Sequence, residues 1–76
     1  AMRIGCGLRV RRIEGHDYLY FWHYEREGGR SARREDYVGP ARDSGSRRDA
    51  NRKLLAYHRR VQQELGARIA RLERSG

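Results

Sequence analysis

YLYFWHYEREGGRSARREDYVG, residues 18 to 39, sets five aromatic side chains within seven positions and follows them with two glycines and a run rich in arginine. Residues 17 to 27 contain neither glycine nor proline and are dense in aromatics, which predicts a strand. Gly28-Gly29 is a two-residue hairpin signal, because both central positions of a type I′ turn need positive φ. Residues 30 to 38 return as a second strand, closed by Gly39 and Pro40. If the two glycines are the whole loop, facing residues have numbers adding to 57. Tyr20 then opposes Tyr37, Trp22 opposes Glu35 and Tyr24 opposes Arg33, while Leu19 opposes Val38 and Glu25 opposes Ala32.

Working towards the N-terminus, residues 8 to 14 (LRVRRIE) alternate apolar and basic as far as Arg11, which predicts one more strand, and EGHD supplies its turn. Loops at Glu14-Gly15 or Gly15-His16 give facing numbers adding to 29 or 31. Both sums are odd, so both sort the residues alike. One side receives Leu8, Val10, Leu19, Phe21, Ala32 and Val38, and the other Arg9, Arg11, Tyr18, Tyr20, Trp22, Tyr24, Arg26, Arg33 and Tyr37. The aliphatic side suits a covering helix, and the arginine–aromatic side suits solvent or a ligand. A three-residue loop or a bulge in the first hairpin would instead bring Leu8 and Val10 to the aromatic side, leaving Trp22 and the tyrosines as core under the helix. Four tyrosine hydroxyls on one face weigh against burial, since each would need an internal partner.

Beyond Pro40 the period changes. After a loop over 39–46, Ser46 with Asp49 resembles a capping box, and Ala50, Leu54, Tyr57, Val61, Leu65 and Leu72 recur at helical spacing. The prediction is a single α+β domain over 1–76: a three-stranded antiparallel sheet within 8–38 and one long C-terminal helix over 47–74, in the order β-β-β-α. Such a helix is longer than the strands it covers. Leu55, His58, Leu65, Ile69 and Leu72 line one flank of it, a seam for a homodimer that would also enlarge a small core.

Eighteen Lys and Arg against ten Asp and Glu give a net charge of +8 on 76 residues, which favours a polyanionic partner. All but Lys53 of the cations are arginine, whose planar fork fits phosphates and guanine edges. Residues 41–76 hold ten basic against four acidic side chains, net +6. Nucleic-acid contacts are therefore expected from Arg9, Arg11, Tyr18, Tyr20, Trp22, Tyr24, Arg26, Arg33 and Tyr37. Arg30 lies at the hairpin, and Arg42, Arg47 and Arg48 are phosphate clamps in the loop and first helical turn. Duplex DNA is the first expectation. Single-stranded DNA or RNA, or a protein-interaction module whose charge serves solubility, are the alternatives.

Little else in the sequence carries chemistry. Cys6 is the lone cysteine, and His16, His23 and His58 stand at no metal-ligand spacing from it or from one another. There is no phosphate-binding glycine loop and no nucleophile with an identifiable base. No enzyme, metal, cofactor or small-molecule substrate is expected. With no apolar run long enough for a signal peptide or membrane span and a lone cysteine that fits a reducing compartment, no membrane partner and a cytoplasmic place are expected, nucleoid-associated if the partner is DNA.

The segment GHDYLYFWHYEREGGRSARREDYVGP, residues 15 to 40, resembles a piece found near the N-termini of recombinases and transposases: an aromatic-rich strand, a glycine turn, and a strand ending in tyrosine, an aliphatic residue, glycine and proline. The β-β-β-α order is similar to integrase arm-binding and plant GCC-box-binding domains. There, a helix-backed three-stranded sheet enters the DNA major groove. That resemblance implies contacts from Arg9, Arg11, Trp22, Arg33 and Tyr37. A long helix stands here where a recombinase carries its catalytic domain. In size, charge and architecture the chain also resembles archaeal chromatin proteins that lay a three-stranded sheet across duplex DNA.

Overall fold

The computed structural model describes residues 3–76. Three strands, β1 (Cys6–Ile13), β2 (His16–Glu27) and β3 (Arg30–Pro40), pair antiparallel in the order β1-β2-β3, and one helix, α1 (Ser44–Ser75), follows. This is the predicted α+β order.

Each hairpin closes through two residues of positive φ, Glu14 (51°) with Gly15 (80°) and Gly28 (55°) with Gly29 (80°). Mirror-image turns of this kind match the right-handed twist of the strands they join. The first loop is therefore Glu14-Gly15, and His16 and Asp17 belong to β2 instead of the turn. Leu8 faces Phe21, and Val10 faces Leu19. The slip that would have moved Leu8 and Val10 to the aromatic side does not occur.

The second hairpin keeps its predicted register from Glu27–Arg30 to Tyr20–Tyr37 and then shifts. Leu19 lies opposite Gly39, not Val38, because a bulge intervenes between Leu19 and Tyr20. Its consequence is a close approach: a Cβ on Gly39 would overlap the Ser46 hydroxyl, so the bulged end of β3 receives the first turn of the helix directly. Ser46 is buried there. The cap is accordingly Asp43, whose Oδ1 accepts a hydrogen bond from the Gly45 N–H at 2.9 Å. The predicted cap at Ser46 and the loop over 39–46 give way to a turn of three residues.

The core lies between β2 and the helix. Leu19 (6% exposed) and Phe21 (5%) of β2 and Ala50 and Tyr57 of the helix are its buried apolar side chains. The Tyr57 hydroxyl donates to the Tyr24 carbonyl at 3.1 Å and accepts from the Gly5 N–H at 3.2 Å, which satisfies its buried polar tip. Arg60 donates to Glu25 at 2.7 Å and pins the helix to β2 from the other flank. The helix thus crosses the sheet from Gly39 on β3 towards Cys6 on β1, where the Sγ lies 3.6 Å from His58 Nε2. That diagonal leaves part of the aliphatic side bare: Leu8 is 42% and Val10 56% exposed, so the predicted patch is only half covered. After Val61 no helical residue is buried. Residues 62–75 continue the exposed helix for about 21 Å at 1.5 Å per residue, with Leu65, Arg68 and Arg71 facing Arg26, Gly29 and Ser31 across an open cleft of about 910 Å³.

Candidate nucleic-acid interface

Strand alternation builds the opposite side of the sheet from even-numbered residues of β2, odd-numbered residues of β1, and odd-numbered residues of β3 up to Tyr37, after which the bulge brings Pro40 to that side. The rows across it are Arg11–Tyr18–Pro40, Arg9–Tyr20–Tyr37 and Gly7–Trp22–Glu35, with Tyr24–Arg33 beyond. Tyr18, Tyr20, Trp22 and Tyr24 are half-buried, while Arg9, Arg11, Arg26, Arg33 and Tyr37 are exposed. Among the described residues no element covers them, because the helix packs on the other side.

Guanidinium groups lie over the rings. Arg33 sits 4.7 Å from the Trp22 centroid, Arg11 5.1 Å from Tyr20 and Arg3 5.9 Å from Tyr24. Cations so placed gain from the ring quadrupole while their outward N–H groups stay free. The rings pack edge-on, Trp22 against Tyr24 at 77° and Tyr20 against Tyr37 at 70°. The face carries one carboxylate, Glu35, whose Oε1 lies 3.5 Å from Arg9 and restrains that side chain while offsetting part of its charge.

Three contributors escaped the sequence reading: Arg3, Gly5 and Gly7. A Cβ at Gly7 would fall 2.7 Å from the Trp22 indole, and one at Gly5 would fall 3.6 Å from the Tyr24 ring. Trp22 therefore lies flat across β1 at Gly7, spreading the aromatic surface over two strands. The signal was parity, since Arg3, Gly5 and Gly7 continue the odd-numbered alternation of Arg9 and Arg11. It was lost by starting the strand at residue 8.

The remaining candidates separate. Arg42 joins Arg12, His16 and Tyr18 in a shallow cleft of about 330 Å³ at one end of the face. Arg30 pairs with Glu27, so by alternation it belongs to the helix side. Arg47 and Arg48 are exposed on the helix, away from the aromatic face. Leu55, His58, Leu65, Ile69 and Leu72 are all exposed.

On the helix side, His23 sits between two carboxylates, with Nδ1 2.6 Å from Glu25 and Nε2 3.0 Å from Asp36. The Arg60 hydrogen bond, aided by His23, holds the Glu25 carboxyl below the usual carboxylate range. Burial pushes the Cys6 thiol up. Among the described residues, no three His, Cys, Asp or Glu side chains converge as metal ligands, and no helix is long and apolar enough to cross a membrane. Compared with known proteins, the chain matches no family model, no curated sequence and no solved structure.

Proposed function

We propose that this protein binds double-stranded DNA through the arginine–aromatic face of its sheet, as a non-enzymatic chromatin-like or regulatory protein. The observation that carries this reading is the row of guanidinium groups laid over Trp22, Tyr20 and Tyr24 on a side of the sheet that nothing covers. Strands spaced about 4.8 Å allow two neighbouring strands of the sheet, with their arginines, to enter a major groove about 12 Å wide. Cations capping three rings favour phosphate and groove contacts over open base stacking, and hence a duplex over a single strand.

Fluorescence anisotropy of a labelled duplex of about 20 base pairs between 50 and 200 mM salt provides the test. Each phosphate engaged contributes about −0.9 to the slope of log K against log salt, and Arg11→Ala or Arg33→Ala should each flatten it by about 1. Affinity that ignores salt contradicts the proposal. Stronger competition from single-stranded RNA or DNA than from duplex would replace it with the single-strand reading. No binding at low salt by a stable oligomer would favour an interaction module.

A further inference from the structure

The exposed large hydrophobics of the helix are not scattered. Leu55, Leu65, Ile69 and Leu72 share one line along it. With His58 and Gln62 they occupy positions 55, 58, 62, 65, 69 and 72, alternating steps of three and four, which is the seam of a two-stranded coiled coil. This seam is centred away from the stripe on the sheet, although Leu65 at its edge also lines the cleft towards Tyr24 and Glu25. At 3.6 residues per turn its centre lies about 110° around the helix from buried Tyr57. It therefore faces sideways, on the flank where His58 meets Cys6 of β1.

We propose that a second copy of this chain fills the seam in antiparallel orientation, and that the pair presents both arginine–aromatic faces on one side to grip a single duplex at two points. The seam is self-complementary in that direction. Pairing positions whose numbers add to 127 sets Leu55 against Leu72 of the second copy, Ile69 against His58 and Leu65 against Gln62, so every layer holds at least one large apolar side chain. A parallel pair in register would stack His58 on His58 and Gln62 on Gln62. Antiparallel pairing also brings Glu73 beside Arg52 of the second copy, twice over. The far end of each helix reaches alongside the other copy's β1, where Leu8 and Val10 are bare. The exposed stretch 62–75, in which no residue is buried within one chain, gains a packing partner.

The placement of the faces follows from symmetry. A sideways seam between antiparallel helices puts the two-fold axis along the sheet normal, level with Gln63 and Glu64, so both aromatic faces end on the same side. Each sheet is centred about ten residues from that axis, which spaces the two faces by about 30 Å at 1.5 Å per residue. Successive major-groove openings on one side of B-DNA are about 34 Å apart. The two-point grip rests on the DNA reading of the face, whereas the pairing does not.

Cysteine cross-linking tests the pairing in a Cys6→Ser background. Chains carrying Leu55→Cys and chains carrying Leu72→Cys, mixed and oxidised, should form a heterodimer, and neither should couple efficiently to itself. Self-coupling of Leu55→Cys, or a monomer mass by sedimentation equilibrium at tens of micromolar, overturns it. Ile69→Glu should sediment as a monomer, keep its affinity for a 10-base-pair duplex and lose roughly 100-fold on a 24-base-pair duplex, the loss of avidity. Equal affinities of the dimer and Ile69→Glu for the longer duplex overturn the two-point grip. A cross-linked dimer that binds neither duplex removes the DNA reading and the grip together while leaving the pairing established.

Discussion

Adjacent positions of β2 live in opposite surroundings. Leu19 and Phe21 lie in the core with Ala50 and Tyr57, while Tyr18, Tyr20, Trp22 and Tyr24 line a side with arginines and no cover. Size and apolarity do not separate the two sets, because Trp22 offers more apolar surface than Leu19. The polar tip does. Tyr57 shows what burying a tyrosine requires here: its hydroxyl needs both the Tyr24 carbonyl and the Gly5 N–H. Among the described residues the hydroxyls of Tyr18, Tyr20, Tyr24 and Tyr37 meet no such partner, and water reaches them. A strand carrying four aromatics with polar tips can be stable only if that side stays wet or meets a polar ligand.

The widest gap between the two sides should appear on truncation. Phe21→Ala removes a buried ring from a core of few members and should cost about 3–5 kcal/mol, most of what a domain this small possesses. Trp22→Ala should cost about 1 kcal/mol of folding, the worth of its cross-strand and cation contacts, yet weaken duplex binding measurably by freeing Arg33 from its ring. Urea unfolding of the two variants, read beside DNA anisotropy, separates these outcomes. Comparable losses of stability would show that the two sides do not differ in kind.

Gly39→Ala strikes the seam between strand and helix. Its methyl group displaces Ser46 and should cost about 1–3 kcal/mol, partly recovered by adding Ser46→Ala, with DNA affinity per folded molecule unchanged. At the far turn Glu14 holds a φ of 51°, which a non-glycine residue tolerates poorly. Glu14→Asn should therefore raise stability by about 1 kcal/mol, readable as a higher urea midpoint, and fix more firmly the register that divides the two sides.

The smallest effect is one of pH. Arg60 and His23 hold Glu25 below the usual carboxylate range, so its contribution is complete at neutral pH and is lost as pH falls through that lowered value. Glu25→Gln should be less stable than the parent at pH 7, and the difference should close towards pH 3. A gap independent of pH would mean that the Arg60 contact contributes nothing through charge.

Much of this division was legible in the residues. Gly28-Gly29 fixed one register, and the odd sums of the first hairpin sorted β1 whichever two-residue loop formed. What escaped depended on a third dimension. The bulge that sets Leu19 opposite Gly39 exists because the helix enters there, and its cap moved from Ser46 to Asp43 because Ser46 is needed in the core. Neither is a local preference. Gly5 and Gly7 look like weak strand formers until Trp22 and Tyr24 are seen lying over them. The exposure of Leu8 and Val10 follows from the helix's diagonal path, which periodicity along either element does not encode.

Trp22 is the only tryptophan of the chain, so its emission reports on the disputed side alone. Collisional quenching by acrylamide, measured with and without duplex DNA at low salt, bears most directly on the claim that this side is a DNA-binding surface. The account predicts a Trp22 open to quencher in the free protein and shielded on adding duplex, with shielding lost as salt is raised. A Trp22 that resists quencher in the free protein, or stays equally open when DNA is saturating, would contradict it.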